Sequence, residues 1–423
     1  MDFEQAKNIL KEFKGDSYLS GFGAIHNLDK ILKKSWKKAV LIRGTFVRSD
    51  EYVEIIKQTL SKSKIELVRE IKGSRPNSPK EDLFRITEQI NEAKPDVIIS
   101  FGGGSTIDAV KAAIVLHSLG GNIEDYFGSS LVTKSLNEAK RTLLSHIAIQ
   151  SIAGSASHLT KYANITDLST SQKKLIVDDA IIPAFPVFDY EITKTSPASL
   201  TIDGAMDGLS HCLEVLYGSV DKEYYEKMQR VTGICLKLVL EYLPVALDNP
   251  ESSDAREALC LATDLGGYAI MTGGTNGGHL SSFSLVDILS HGRACAIMNP
   301  YYTVFFAPAI EKPLKYIAEI YKQAGLIHED IDNISARILA EIVANAMFKF
   351  AQRIDMPTKL KQIQAFSSEH IERAIKAAKN PQLKMKLQNM PVSLTSETVE
   401  QYMRPVLQAA SDGDISKIRN ISN

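Results

Sequence analysis

The chain has 423 residues, 44% of them hydrophobic and 23% charged, too long for one ordinary core and balanced like a soluble globular protein of two domains. Lys and Arg number 49 against 50 Asp and Glu, a formal charge of −1 that argues against a nucleic-acid partner. Cys212, Cys235, Cys260 and Cys295 show no CxxC spacing and read as buried, reduced thiols of a cytoplasmic protein. The charged N-terminus MDFEQAKNILKEFKG has no secretory core, and no apolar run reaches the roughly 18 residues that span a bilayer.

The first part of the chain alternates short apolar runs with helical stretches, the pattern of a parallel sheet with crossover helices. KKAVLIRG (37–44) predicts a buried strand and 49–63 the amphipathic helix after it. IELVREI (65–71) is the next strand, and RPNSP (75–79) turns into a helix over 80–94. DVIISF (96–101) is a strand ending at Gly102, followed by a helix over 105–119 with apolar positions at spacings of three and four. HIAIQS (146–151) is a further strand, and 174–192 is extended with two prolines. Beyond about residue 195 the strand texture gives way to 3.6-residue periodicity over 199–217, 221–243, 254–272, 279–289, 292–307, 312–325, 334–353 and 396–409. The reading is an α/β nucleotide-binding domain over 1–194 and an all-α metal-binding domain over 195–423, with 361–386 charged and without clear element limits.

FGGGSTIDAVKAA places three glycines and a serine between a strand and a helix. Helix N-termini present backbone N–H groups and a positive dipole end, and glycines let a pyrophosphate approach. Gly102, Gly103 and Gly104 are therefore cofactor candidates, with Ser105 as helix cap and hydroxyl donor. The motif is neither the Rossmann fingerprint nor a Walker loop. The tip of the first strand, Ile42-Arg43-Gly44-Thr45, carries no acid to hold a ribose 2′-OH. Arg43 beside a small Gly44 favours NADP(H) over NAD(H).

Asp207 and His211 are four residues apart and share one helix face, where a carboxylate and an imidazole can bind one cation. His279 follows the glycine-rich GGTNGG, and His291 lies 12 residues later. Twelve residues are about 3.3 turns, which would put the two roughly 120° apart on a straight helix, so the chain must bend between them, at Asp287–Ser290. Three imidazoles and a carboxylate suit Fe²⁺, Zn²⁺, Co²⁺ or Ni²⁺ better than Ca²⁺ or Mg²⁺. A divalent metal with a dinucleotide is the equipment for hydride transfer to or from an alcohol.

These motifs resemble the iron-containing (group III) alcohol dehydrogenases, which share a dehydroquinate synthase-like fold. The likeness is carried by FGGGSTIDAVKAA, RPNSP, AIQSIAGSASHLTKYANITD (148–167), MDGLSHCLEVLY (206–217) and NGGHLSSFSLVDILSHGRACAIMNP (276–300). It implies metal ligands at Asp207, His211, His279 and His291, with Fe²⁺ expected and Zn²⁺ or Ni²⁺ able to replace it. The cofactor is expected on Gly102–Gly104 and Ser105, with Ser151, Ser157 and Lys173 joining them and Gly44 at the position that separates the two nicotinamide cofactors. A homodimer acting on a small alcohol or aldehyde is also implied. The chain departs from the family where Phe283 replaces a histidine, where His158 replaces a glutamate, and in a His279–His291 interval about two residues shorter than is common. Phe283 and His158 are thus pocket candidates, with no certain general acid. The alternatives are a dehydroquinate synthase-like lyase, a polyol or polyol-phosphate dehydrogenase, and a non-catalytic binding protein. A phosphate-binding pocket would need several basic residues near the metal, and around His279–His291 only Arg293 is present.

Overall fold

The computed structural model describes residues 2–170, 172–392 and 394–421, the Gln382 side chain excepted. The chain forms two compact units, one of Leu10–Pro197 with Pro250–Cys260, the other of Met1–Ile9, Ala198–Asn249 and Leu261–Asn423. Helix α1 (Asp2–Lys14) runs from the second into the first.

In chain order the first unit holds β1 (Leu19–Gly21), β2 (Lys38–Arg43), α2 (Ser49–Lys62), β3 (Glu66–Lys72), α3 (Lys80–Ala93), β4 (Val97–Gly102), α4 (Gly104–Leu119), β5 (Gly128–Ser129), α5 (Leu131–Ala139), β6 (Ser145–Gln150), β7 (Tyr162–Asp167), β8 (Gln172–Val177) and β9 (Phe185–Asp189). A six-stranded sheet runs β1-β9-β6-β4-β2-β3 with every neighbouring pair parallel. Its central strands are apolar on both faces because both are covered. Leu41, Ile99 and Phe101 pack with Trp36 and Ile56, while Val40, Ile42 and Ile98 pack with Leu83, Ile86 and Val110.

The extended region after residue 171 divides. Strand β9 joins the main sheet, whereas β8 pairs antiparallel with β7 and parallel with β5 in a separate three-stranded sheet. Helix α4 packs against α3, β4 and β7, so Thr106–Leu116 are all buried and the expected one-sided apolar stripe is not its pattern. The sheet's strand order turns between β2 and β4, and the carboxyl ends of such strands are where open α/β sheets bind ligands. Gly44 and Gly102 stand at those two ends.

The remaining elements are α6 (Ala198–Gly218), α7 (Tyr225–Asp248), α8 (Ser253–Thr272), α9 (Gly277–Ser282), α10 (His291–Phe306), α11 (Glu311–Gln323), α12 (Ala336–Arg353), α13 (Ser368–Ala378), α14 (Lys384–Gln388) and α15 (Val399–Asp412). No strand follows β9 among the described residues. Helix α6 packs against α7 and α10, and α10 also against α9, α12 and α15. The helix expected over 279–289 is cut short, since α9 ends at Ser282. From there the chain tightens, with Ser284 N–H donating to Ser281 O and Leu285 N–H to Ser282 O, and Arg373 of α13 clamps the turn through Ser284 O and Asp287. The bend thus begins at Phe283, ahead of the Asp287–Ser290 stretch expected to make it.

Candidate metal centre and nucleotide turn

Helix α6 carries Asp207, His211 and Glu214 at successive spacings of four and three, hence on one face, and all three are buried. Helix α9 brings His279 to that face, and the first residue of α10 brings His291. The Nε2 atoms of His211, His279 and His291 lie 3.9, 3.6 and 3.9 Å from a single atom, Asp207 Oδ1.

Hydrogen bonds place a proton on the outer nitrogen of two of these rings, while His211 Nδ1 has no partner among the described residues. His279 Nδ1 lies 2.7 Å from Glu214 Oε1, a carboxylate that can only accept there, so Nδ1 carries a proton and Nε2 is the atom turned to Asp207. Burial lowers this imidazole, but Cys295, Glu214 and Asp207 together raise it, so a cation bound at Nε2 would displace a proton. Ser282 Oγ donates to His279 O and so accepts from His291 Nδ1 at 3.1 Å, which puts a proton on that nitrogen too. Burial pushes the His211 imidazole down to about 4, which keeps it neutral. Burial alone would raise the Asp207 carboxyl, but positive charge at its edge, on the imidazoles of His211, His291 and His279 or on a cation that takes their protons' place, holds it well below the usual carboxylate range.

Asp207 Oδ1 and His279 Nε2 have no hydrogen-bond partner among the described residues. Lone pairs aimed at a buried carboxylate oxygen are repulsive unless a cation lies among them. The donors fit a divalent metal, and such a site is present in this chain: Asp207, His279, His291 and Cys295 offer ligand atoms all within 4.8 Å of one another, and His211 stands outside that group with its Nε2 3.9 Å from Asp207 Oδ1.

Small residues allow this convergence. A Cβ on Gly292 would collide with the Asp203 carbonyl and lie 2.9 Å from Asp207 Cβ, so the start of α10 can approach α6 only with glycine beside His291. At Gly278 a Cβ would meet Glu214 Oε1 at 2.6 Å. Asn276 closes the group: its N–H donates to Glu214 Oε2 at 2.7 Å and its side chain to Glu214 O at 2.7 Å.

Phe283 is buried and its ring lies over that of His291, 6.0 Å between centroids and 28° between planes. On its other contact stands Lys386 Nζ, 5.6 Å from the ring and donating to Thr275 Oγ1. Burial lowers this ammonium to about 8 against the raising effect of Glu214 and Cys295. Arg293 is tied to Asp203 at 3.0 Å.

The nucleotide turn is built differently. Gly103 caps α4 without a side chain, and the cap expected at Ser105 is not made. Ser105 lies inside the first turn, its Oγ accepting from Asn77 N–H at 3.0 Å and its carbonyl from Ser78 Oγ at 2.7 Å. A Cβ on Gly103 would lie 2.8 Å from Ile152 Cδ1, and one on Gly104 would collide with Ser155 Oγ. Asp108 accepts from Ser157 Oγ and from Asn164 N–H, and the buried Lys111 donates to Thr160 O and Tyr162 O at 2.8 Å. Ser151, at the end of β6, donates its N–H to Gly102 O at 3.0 Å, and Lys173 is buried on β8. Arg43 is already engaged, 2.7 Å from Glu70 and 2.8 Å from Asp50. His158, in this unit, lies 3.2 Å from the Tyr18 hydroxyl and edge-on to Phe188.

The profile described as iron-containing alcohol dehydrogenase matches residues 16–190, and that of the C-terminal region of the same family matches 201–407. The chain belongs to the iron-containing alcohol dehydrogenase family. It is accordingly a metal-dependent, NAD(P)(H)-linked alcohol or aldehyde oxidoreductase, which decides against the lyase and non-catalytic readings. Among curated relatives, the NAD-dependent methanol dehydrogenase of Bacillus methanolicus is 28% identical over 80% of this chain and 85% of its own. The NADPH-dependent butanol dehydrogenase of Clostridium saccharobutylicum is 27% identical over 79% of this chain and 83% of its own. The solved alcohol dehydrogenase from Oenococcus oeni superposes with a TM-score of 0.78 at 25% identity, covering 93% of this chain and 97% of that one.

Three residues of this family member escaped the sequence reading. Glu214 could have been found, because it continues the Asp207–His211 face by one more turn. Cys295 had the same signal, one turn after His291. Lys386 had none, since only the tertiary fold brings α14 to Thr275 and Phe283, and the count of basic groups around His279–His291 omitted it for that reason.

Proposed function

We propose that this enzyme reduces small or medium aldehydes with an apolar tail, using NADPH and one divalent cation held by Asp207, His211, His279 and His291. The observation that carries the reading is the meeting of three imidazole Nε2 atoms around one buried, unpartnered carboxylate oxygen. A cation bound there supplies Lewis acidity toward a substrate oxygen, and the reduced nicotinamide supplies the hydride. Glu214 and Ser282 orient His279 and His291, as outer partners of metal-binding histidines do. Phe283 presents an apolar wall against His291 and carries no proton, which favours apolar carbonyl compounds over polyols. The ionisable group beside that ring is Lys386, which holds a proton at Nζ with an affinity lowered toward neutrality.

On the sheet unit, the reading puts the pyrophosphate at Gly102–Ser105 and the adenosine end at Arg43–Gly44. Support comes from their place at the β2/β4 turn in strand order and from the room at Gly44, where a Cβ would meet nothing closer than 3.9 Å. Fe²⁺ is the expected native ion, and Zn²⁺ or Ni²⁺ should displace it in a recombinant sample because both lie higher in the affinity order. The test is NADPH consumption with a panel of short aldehydes and polyols by metal-stripped and reloaded protein. Activity restored by reloading, with aldehydes ahead of polyols, is expected. Equal activity without metal would overturn the proposal.

A further inference from the structure

Helix α10 offers the centre a second side chain. Cys295 follows His291 by one turn on the same face, just as His211 follows Asp207 on α6, so two i,i+4 pairs converge where Gly292 lets α10 approach α6. Cys295 is fully buried. A buried thiol is most often a small apolar filler, but the neighbours here are donors. Its Sγ and one ligand atom each from Asp207, His279 and His291 all lie within 4.8 Å of one another, a group in which Cys295 stands and His211 does not. Two of those side chains, Asp207 and His279, are themselves less than 5% exposed and carry the unpartnered Oδ1 and Nε2 atoms that face the cluster.

We propose that Cys295 supplies a sulfur donor to the metal, making the centre a mixed carboxylate–imidazole–thiolate site. The inference rests on the metal-centre reading above and adds a ligand to it. Binding through sulfur releases the thiol proton to solvent as the metal–sulfur bond forms, with no change of oxidation state. A thiolate shifts the site's preference toward softer ions, so Zn²⁺ and Co²⁺ gain over Mn²⁺ and Fe²⁺ relative to a site of nitrogen and oxygen alone.

The experiment is a Co²⁺ titration of the metal-stripped full chain followed by absorption spectroscopy, in wild type, Cys295→Ser, Cys295→Ala and the control Cys235→Ser. The visible ligand-field bands report cobalt binding, and a near-ultraviolet thiolate-to-cobalt band reports sulfur in the sphere. Wild type and Cys235→Ser should show both at one equivalent. Both Cys295 variants should keep the visible bands and lose the near-ultraviolet one, with the ratio of Zn²⁺ to Mn²⁺ affinity falling at least about tenfold. Visible bands without the near-ultraviolet band in wild type would overturn the cysteine ligand and leave the four-residue centre standing. Persistence of that band in Cys295→Ser, checked for folding by circular dichroism, would also overturn it. Absence of cobalt binding in wild type would overturn both readings.

Discussion

The nucleotide turn and the metal centre both rest on buried polar groups, yet they differ in who satisfies them. Around Gly102–Ser105 the chain satisfies itself: Ser105 is taken by Asn77 and Ser78, Asp108 by Ser157 and Asn164, and Lys111 by two carbonyls. Around Asp207 the outer atoms of His279 and His291 are held by Glu214 and Ser282, whereas Asp207 Oδ1, His279 Nε2 and the outer Nδ1 of His211 have no partner among the described residues. A buried polar atom without a partner costs about 1–3 kcal/mol, more if charged. Several of them pointing at one spot are retained only where a ligand recovers that cost. The metal centre is therefore declared by what is unsatisfied, and the nucleotide turn by its place in the sheet.

Removing an inner ligand should break this contrast most severely. His279→Ala and His291→Ala are each expected to lower divalent-metal affinity by more than the roughly 100-fold expected of an outer partner, with metal content near zero after dialysis. Unchanged stoichiometry in both would remove them as ligands. Glu214→Gln comes next. It keeps the shape but can present its amide N–H to His279 Nδ1 and disturb the tautomer, for an expected loss of about 10–100-fold in metal affinity with little change in NADPH binding. Should metal affinity stay at the wild-type value, the orienting role is wrong.

These two predictions also mark how far the sequence reached. Asp207, His211 and Glu214 are legible because a helix has a fixed period, and the strands of the main sheet because continuous apolar runs need both faces covered. The reading failed where tertiary packing overrides local pattern. The periodicity over 279–289 suggested a helix, but α9 stops after six residues where the chain folds into a tight turn clamped by Arg373. Ser105 looks like a helix cap in sequence, yet Asn77 N–H claims its hydroxyl from 28 residues away. Nothing local to Arg43 shows that Glu70 and Asp50 pair with it. No local signal could place Lys386 beside Thr275, a contact across 111 residues of chain.

In the sheet unit the sharper test is Gly44→Asp. A carboxylate at the β2 tip would repel a 2′-phosphate and accept from a ribose hydroxyl. It should shift relative kcat/KM toward NADH by about 10–100-fold, the span of one charge-assisted hydrogen bond. A wild-type preference for NADH would show that Arg43, paired as it is, does not serve the phosphate.

The smallest effects concern protons. Lys386 is lowered to about 8 in the folded chain, against an ordinary value of about 10.4. Between those values the unfolded state binds the extra proton, so metal-free wild type should gain stability as pH rises from about 8 to about 10, relative to Lys386→Met. The gain is at most about 3 kcal/mol. A pH-independent difference in denaturant midpoint would contradict that burial. Phe283→His should move the pH–rate profile while leaving metal content nearly unchanged, and kinetics untouched by it would mean that Phe283 only packs against His291.

The central claim is tested most directly by locating the ion. Crystals of Zn²⁺-reloaded protein, with anomalous diffraction recorded on both sides of the zinc edge, should show one site per chain at bonding distance from Asp207 Oδ1 and from the Nε2 atoms of His211, His279 and His291. An ion bound elsewhere, or an empty cluster in protein that binds zinc stoichiometrically, would contradict the account.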